Sequence, residues 1–421
     1  MLKKFVLSNG LRLLLFPMKN TKAVTALYLA QTGSKYETKT QNGISHLLEH
    51  LVFRGTKNWP EPSSIARELD SVGGFYNAFT DKEMLGIWTK VEVKHLPLAL
   101  NIIADMVINP LFPEQEIPKE KKVVIEEINM REDNSQIAVL DLWEELLYGD
   151  QPAGWQVIGT KQTVMAINQK GLFSHLKDSF SAKKSIVVLA GGFSEKSVKK
   201  EIEKSFSPLG RGSGSSKLPA KEKQADPQVI LRFKETDQTH LCLGVRTFGA
   251  LSKKRYSLAL LATILGGMMS SRLFEEIREK RGLAYYVRAL TEYYTDTGYL
   301  VAHAGLNNDK VSEAIDIICR EYKKLAAEPV NIQELKKAKE HLKGSLFLGL
   351  ETSDELASFF GLQEIMGKKP LVPEQEWQEI AKITPDDILK VAGEIFHSDR
   401  LNLAIIGPHK DREKFLSVLK I

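Results

Sequence analysis

Two pairs of similar segments recur at nearly the same separation along this chain of 421 residues. Ser185–Gly192 is similar to Leu401–Pro408, with glycines at positions 191 and 407. Ala99–Met106 is similar to Ala314–Glu321, and the offset between these two segments is almost the same as that between the two glycines. Because two unconnected pairs share nearly the same offset, we infer a duplication that yields two homologous domains of about 200 residues each.

A change in composition marks the junction between the two halves. Ser207–Pro227 is rich in small and polar residues and has no hydrophobic periodicity, which is typical of a linker. The sequence therefore predicts a first domain at 1–207, a linker at 208–227 and a second domain at 228–421.

Both halves contain strand-like and helix-like segments. Val24–Ala30 and Leu241–Arg246 are rich in β-branched and aliphatic residues, which favours strands. Lys94–Val107 and Glu114–Met130 carry apolar residues at helical spacing. Because strands and helices do not alternate strictly, we expect an α+β fold, in which each domain is a mainly antiparallel sheet with helices packed on one face. A hydrophobic content of 43% is enough for two full-sized cores.

Charge and hydropathy exclude several classes of protein. The net charge of +5 comes from scattered basic residues, so the sequence indicates no nucleic-acid partner. No run of about 18 uncharged apolar residues occurs, so we expect no membrane span. The turn signal at residues 8–10 predicts a hairpin near the N-terminus and argues against a signal peptide. Two cysteines make no disulfide framework, and we expect a cytoplasmic protein.

The sequence HLLEH at residues 46–50 is the motif that indicates chemistry. On a helix, residues four apart project from the same face, so His46 and His50 can bind one ion. Glu49 lies beside that ion, where it can take a proton from a metal-bound water molecule. Two imidazoles and a carboxylate suit zinc with a fourth position open. Neighbouring polar groups can equally satisfy two histidines on an apolar helix, so the motif alone leaves metal binding open.

The helix predicted over Glu114–Met130 offers three glutamates as a further ligand. Glu120 and Glu127 lie two turns apart on one face, whereas Glu126 points about 100° away from Glu127. If Glu127 is the ligand, Glu120 lies behind it on the same face of the helix and can support the site. If Glu126 is the ligand, Glu120 does not share its face. The helix could also be a solvated acidic surface, although the apolar residues 123–125 indicate that this turn is at least partly buried.

With these motifs the chain resembles the pitrilysin/insulysin family of inverzincin zinc metallopeptidases over nearly its whole length. Within the family it most resembles the bacterial members that, like the chains of the mitochondrial processing peptidase, have the length of one half of the larger, fused relatives. In the family, a glutamate follows the motif H-x-x-E-H after a spacer of characteristic length, and the spacer from His50 to Glu127 has that length. The resemblance implies that His46, His50 and Glu127 bind one Zn2+ per chain. It also implies that Glu49 is the general base and that Glu120 supports the site from behind the ligands.

The resemblance also indicates a strand that binds substrate. Residues 73–80 (GGFYNAFT) resemble the family's edge strand beside the zinc, where an extended peptide adds a strand to the sheet. Main-chain hydrogen bonds of this kind bind peptides of many sequences. Without the resemblance, a glycine-rich turn into an ordinary strand is the simpler interpretation. The implied substrate-binding residues are Gly74, Phe75, Tyr76, Asn77 and Ala78.

The second half carries a different pair of family residues. The family has an arginine and a tyrosine seven residues apart that reach the active site, and Arg278 and Tyr285 match them. Such groups can hold a substrate carbonyl or stabilise an oxyanion. At the separation of the repeat, the motif falls on Ala262–Gly266 and Glu127 falls on Ser345. The second half therefore lacks the ligands, and we expect a non-catalytic domain.

The function that these features predict is zinc-dependent endopeptidase activity on extended or unfolded peptides. The resemblance implies that the two domains form half of a clamshell chamber, so we expect a homodimer or a heterodimer with a related inactive chain. The alternative is a catalytically silent or assembly subunit of a processing-peptidase-like heterodimer. The complete ligand set and the short segment at residues 266–269, where inactive processing subunits have a long glycine-rich loop, favour the active enzyme. A zinc-binding interaction module without turnover would leave Glu49 idle.

Overall fold

The computed structural model describes residues 2–212 and 216–421. In chain order the strands are β1 (Lys3–Val6), β2 (Arg12–Pro17), β3 (Ala23–Ala30), β4 (Phe75–Thr80), β5 (Leu85–Glu92), β6 (Ser185–Gly191), β7 (Gln228–Phe233), β8 (Gln238–Thr247), β9 (Ala284–Tyr293), β10 (Gly298–Asn307) and β11 (Asn402–Gly407). The α-helices are α1 (Ile44–Leu51), α2 (Ser64–Ser71), α3 (Leu96–Ile108), α4 (Ile117–Asp133), α5 (Ser135–Tyr148), α6 (Lys161–Ala166), α7 (Gln169–Ser179), α8 (Glu195–Phe206), α9 (Arg255–Ala262), α10 (Val311–Ala327), α11 (Ile332–Leu348), α12 (Ser353–Ile365), α13 (Pro373–Ala381), α14 (Pro385–Ile395) and α15 (Arg412–Ser417). The fold is α+β, as predicted.

The chain divides into two compact units, each assembled from three segments. Unit 1 comprises Met1–Ile128, Trp155–Leu218 and Gly349–Val372, and unit 2 comprises Asn129–Gly154, Pro219–Leu348 and Pro373–Ile421. The domains predicted at 1–207 and 228–421 therefore need correction, because 129–154 and 349–372 each belong to the unit of the other half. Residues 213–215 of the predicted linker at 208–227 lie outside the described residues.

Unit 1 is built on a six-stranded sheet with the order β1-β2-β6-β3-β5-β4. β2 and β6 are parallel, and the other neighbours are antiparallel. β1 and β2 form the hairpin predicted at the N-terminus. β4 lies at one edge of the sheet, in agreement with the edge strand predicted at residues 73–80.

Both faces of this sheet are buried. Ala26 and Tyr28 of β3 pack in a core with helices of the first half, whereas Leu27 and Leu29 face the other way. On that second face they pack in a cluster with Phe360 of α12. The expectation of helices on one face is therefore wrong for this unit, because strands that are apolar on both sides need a cover on both.

Unit 2 repeats this topology with the order β7-β11-β8-β10-β9. β7 and β11 are parallel and the other pairs are antiparallel, so strands β2, β6, β3, β5 and β4 correspond in order and direction to β7, β11, β8, β10 and β9. One face packs on helices of the second half, and the other is covered by Val139 and Trp143 of α5. The shared topology supports the duplication inferred from the sequence.

A helix that crosses a bilayer must be about 20 residues long and also predominantly apolar. None of the helices within residues 2–212 and 216–421 meets both requirements.

Candidate metal centre and active site

Helix α1 presents its polar residues on one side and its apolar residues on the other. Leu47, Leu48 and Leu51 are fully buried, whereas His46 and His50 are partly exposed. The helix begins after residue 43, whose φ of 93° is left-handed, and a Cβ at this position would lie 2.7 Å from the carbonyl oxygen of residue 158. Only glycine fits this entry to the helix.

A buried carboxylate binds the N-terminus of α1. Glu37 Oε1 accepts a hydrogen bond from the backbone N–H of Ser45 at 2.8 Å. Glu37 Oε2 accepts one from the N–H of Gly43 at 2.8 Å and one from the side-chain amide of Asn42 at 3.0 Å. Burial raises the pKa of Glu37, and these hydrogen bonds act against that shift. The carboxylate satisfies donors that the first turn of a helix leaves unpaired.

His46, His50 and Glu127 form a cluster of potential ligand atoms within 4.8 Å of one another. The imidazole rings of His46 and His50 are 4.9 Å apart between centroids. Glu127 Oε2 lies 3.7 Å from His46 Nε2 and 3.6 Å from His50 Nε2. Both distances exceed a hydrogen bond, and they are near the roughly 3.3 Å that separates two ligands at about 2.0–2.1 Å from one tetrahedral zinc ion. The donor set and its spacing fit zinc.

Glu120 holds one of these histidines from behind. His50 Nδ1 lies 3.3 Å from Glu120 Oε2, and since an ionised carboxylate only accepts, Nδ1 carries the hydrogen and leaves Nε2 free to face Glu127. Arg54 Nε forms an ion pair with Glu120 Oε1 at 2.8 Å. Burial alone would raise the pKa of Glu120, but His50 and Arg54 lower it below its ordinary value. Burial alone would lower the pKa of His50, but the hydrogen bond with Glu120 and the nearby carboxylates raise it.

Glu49 lies between the ligand cluster and the edge strand. Thr80 Oγ1 donates a hydrogen bond to Glu49 Oε2 at 2.6 Å. Burial raises the pKa of Glu49 above its ordinary value, the Thr80 hydrogen bond and the charge of His50 lower it, and Glu127 raises it further. The carboxyl group is therefore held in place and is easier to protonate than one in water.

A cavity of about 460 Å³ opens beside these groups within unit 1. Its lining combines carboxylates and imidazole with aromatic and small side chains: Glu49, His50, Phe53, Arg54, Pro62, Ser63, Ala66, Tyr76, Asn77, Ala78, Glu120 and Glu127. β4 supplies Tyr76, Asn77 and Ala78 to this wall, and within residues 2–212 and 216–421 it pairs with β5 alone. Phe75 at the start of β4 is 69% exposed.

Comparison with known proteins decides the family. The model described as "Insulinase (Peptidase family M16)" matches residues 14–161, and "Peptidase M16 inactive domain" matches residues 166–342. An "uncharacterized zinc protease" of Bacillus subtilis is 33% identical over 411 residues, covering 97% of this chain and 98% of that protein. The chain belongs to the insulinase family, peptidase family M16. The "inactive domain" model matches part of the chain that we expected to lack ligands, and of the residues described, only the cluster of His46, His50 and Glu127 has ligand geometry.

Further relatives match over the same extent. An "uncharacterized zinc protease" of Streptomyces coelicolor is 32% identical, covering 98% of this chain and 90% of that protein. The crystal structure of a protease from Helicobacter pylori has a TM-score of 0.90 and 24% identity, and covers 97% of this chain and 99% of that one. A structure titled as a peptidase M16 inactive domain from Pseudomonas fluorescens has a TM-score of 0.90 and 17% identity, with 98% and 99% coverage. Both solved structures share the fold of this insulinase-family chain.

The structure brings together most of the residues that the sequence selected for this insulinase-family site. Glu127 belongs to the ligand cluster, whereas Glu126 is exposed. Gly74 precedes β4 and does not line the cavity. Arg278 lies in the π-helical turn Phe274–Glu279 of unit 2, and Tyr285 near the start of β9 is 75% exposed. The roles of these two residues stay predictions.

Three residues of the site were not selected from the sequence. Thr80 ends the strand segment that was selected, but nothing local shows that its hydroxyl reaches Glu49. Arg54 lies beyond the end of α1, and no local pattern indicates its ion pair with Glu120. Glu37 precedes α1 by seven residues, which is outside the range of ordinary capping motifs.

Proposed function

We propose that this chain is a zinc-dependent endopeptidase that hydrolyses extended or unfolded peptides. The observation that carries the proposal is Glu49, which lies beside the cluster of His46, His50 and Glu127 and lines the same cavity as the exposed edge strand. The relatives named as zinc proteases support this assignment of both metal and reaction. We propose one Zn2+ per chain.

The proposed reaction uses a water molecule as nucleophile. When bound, zinc supplies a Lewis acid that polarises the scissile carbonyl and lowers the pKa of water. Glu49 takes the proton of the attacking water and later delivers it to the leaving amine nitrogen. The raised pKa of Glu49 suits both transfers, because a carboxyl group that titrates nearer to neutral pH accepts and returns a proton more readily.

The peptide would bind as an additional strand on β4. The free edge of β4 offers main-chain donors and acceptors that do not depend on substrate sequence. Tyr76, Asn77 and Ala78 would then contact the side chains next to the scissile bond. This mode selects extended chains, because a folded domain cannot present a free strand of this kind.

The proposal includes two contributions that rest on the family resemblance. Arg278 and Tyr285 would hold the substrate carbonyl or stabilise the oxyanion. The chain would work as a homodimer or with a related inactive chain, and sedimentation of the purified protein measures this directly.

Cleavage of an unstructured fluorogenic peptide tests the proposed function. We expect chelator to abolish cleavage and zinc to restore it. Glu49→Gln should retain zinc but lose activity by about a thousandfold or more, because the base is absent. Glu127→Gln should lose zinc, whereas the matched control Glu126→Gln should retain both zinc and activity.

The other outcomes are equally informative. Bound zinc without cleavage of a broad peptide set would favour the silent-subunit alternative. Absence of bound metal after zinc addition would contradict the ligand assignment.

A further inference from the structure

We infer that Thr80 is a positioning residue for the base Glu49, so that the strand proposed to bind the peptide also fixes the group that activates water. This inference rests on the proposed function and adds a residue to it. The positioning occurs through one hydroxyl group, and the strand itself does not need that hydroxyl.

The contact between Thr80 and Glu49 is short and directional. Thr80 Oγ1 lies 2.6 Å from Glu49 Oε2, whereas its other potential acceptor, the carbonyl oxygen of Ser45, is 3.5 Å away. The single hydroxyl hydrogen therefore goes to the carboxylate. Hydrogen bonds from a hydroxyl to an ionised oxygen have this length and are about twice as strong as neutral ones.

The hydrogen bond from Thr80 makes the two carboxylate oxygens of Glu49 inequivalent. Oε2 is held by Thr80, and no hydrogen bond to Oε1 is found within residues 2–212 and 216–421. A glutamate on a helix has three side-chain torsions, and an unheld carboxylate would occupy several positions. A small misplacement of a catalytic group lowers the rate strongly, so holding Oε2 keeps Oε1 aimed at the water molecule.

The position of Thr80 in the fold connects the base with the substrate-binding edge. Thr80 is the last residue of β4 and pairs with Leu85 of β5. Tyr76, Asn77 and Ala78 of the same strand line the cavity. Helix α1 carries Glu49 together with the ligands His46 and His50, and Thr80 links the carboxylate of Glu49 to the strand that is proposed to bind the peptide.

Substitution of Thr80 by valine tests the role of the hydroxyl group without disturbing the strand. Valine has the same β-branched shape and an equal preference for strands, so Thr80→Val removes only the donor. Thr80→Ser retains the donor and is the rescue variant. Thr89→Val in β5 is the matched control, because Thr89 is a buried threonine of the same sheet and its hydroxyl has no hydrogen-bond partner among the described residues.

The test measures steady-state cleavage of an unstructured fluorogenic peptide together with zinc content and a crystal structure of each zinc-loaded variant. For Thr80→Val we expect kcat to fall about tenfold to a hundredfold, with KM within about twofold of the wild type. Zinc content should be unchanged. Thr80→Ser should recover most of kcat, and Thr89→Val should match the wild type.

Several results would overturn the inference. Unchanged kcat in Thr80→Val, a rise in KM that accounts for the whole loss, or loss of zinc would show that the hydroxyl does not position the base. If the wild type cleaves peptides in a Glu49-dependent manner and Thr80→Val does so equally well, only this inference fails. If no variant cleaves any peptide, the proposed function fails, and the crystal structures still decide: a Glu49 carboxylate that keeps its place in Thr80→Val overturns the positioning role.

Discussion

His175 is a partly buried residue of unit 1, and its Nε2 is 2.9 Å from the hydroxyl of Ser45 and 3.2 Å from that of Ser179. Burial, with a contribution from the charge of Lys184, lowers the pKa of His175 from 6.5 to about 4. Between these two values the unfolded chain binds a proton that the folded chain does not. We therefore expect the free energy of unfolding to decrease as the pH falls from 6.5 to 4, by about 3 kcal/mol from this residue.

Denaturant unfolding at pH 7, 6, 5 and 4 measures this effect, with chelator present so that metal release does not contribute. His175→Gln should lose stability less steeply over this range than the wild type. His341→Gln removes an exposed histidine and serves as the control, with the slope of the wild type expected. Equal slopes in His175→Gln and the wild type would contradict the assignment.

The residues of the site differ in how far the sequence could predict them. His46, Glu49 and His50 could be found because helical spacing is a local property. Thr80 reaches Glu49 across 31 residues of chain, and only the fold brings their elements together. His175 and Ser45, which form a hydrogen bond, are 130 residues apart in the sequence, and no spacing rule indicates such a pair.

At the scale of elements, α1 depends on a cap from outside the helix. Glu37 is 6% exposed and accepts hydrogen bonds from the backbone N–H groups of Gly43 and Ser45. Glu37→Ala would leave these donors unpaired in the interior, so we expect the free energy of unfolding to fall by about 2–4 kcal/mol. Zinc affinity should fall as well, because the first turn of α1 carries His46.

Thermal or denaturant unfolding and a chelator competition measure the two effects of Glu37→Ala. Glu37→Gln retains one acceptor oxygen and should be affected less. Glu68→Ala, at an exposed position of α2, is the control, and its stability should stay within about 0.5 kcal/mol of the wild type. If Glu37→Ala is destabilised but keeps full zinc affinity, the predicted effect of the cap on the metal site is contradicted.

Helix periodicity predicted the long helices well in their interiors and less well at their starts. The helices predicted from Lys94 and Glu114 begin at Leu96 and Ile117. Pro97 and Pro118 are the second residues of these helices, and a residue without an N–H belongs in the first turn. The residues by which the prediction overran, 94–95 and 114–116, are all polar, so apolar periodicity did not determine where either helix begins.

At the scale of the whole molecule, the covering helices exchange between the halves of the sequence. α12 comes from the second half and belongs to unit 1, and α5 comes from the first half and belongs to unit 2. The sequence could not predict this exchange, because apolar residues on a helix show that a face is buried but not which sheet buries it. Composition alone therefore places the domain boundary at the linker.

α12 is closely fitted to the sheet of unit 1. The hydroxyls of Ser353 and Thr25 are 2.8 Å apart, and the rings of Phe360 and Phe16 are 4.9 Å apart between centroids. A Cβ at position 361 would lie 2.7 Å from Cδ1 of Leu29, so a larger residue there would displace this leucine side chain. Phe360 is fully buried, and Phe360→Ala should cost about 3–5 kcal/mol.

This exchange predicts that the two halves cannot fold separately. A fragment of residues 1–207 lacks α12 and would expose the apolar face formed by Leu14, Leu27, Leu29, Ile186, Val188 and Ala190. A fragment of residues 208–421 lacks α5 and would expose the face around Cys242 and Val301. Each fragment alone should therefore bind a hydrophobic dye strongly and unfold without a cooperative transition, and the first fragment should bind zinc weakly.

Co-expression of the two fragments should restore cooperative unfolding and zinc binding, because each unit then regains its covering helix. A fragment 1–207 that unfolds cooperatively and binds zinc like the full chain would contradict the exchange, and the same assay on fragment 1–207 joined to residues 349–372 shows whether α12 is the missing part.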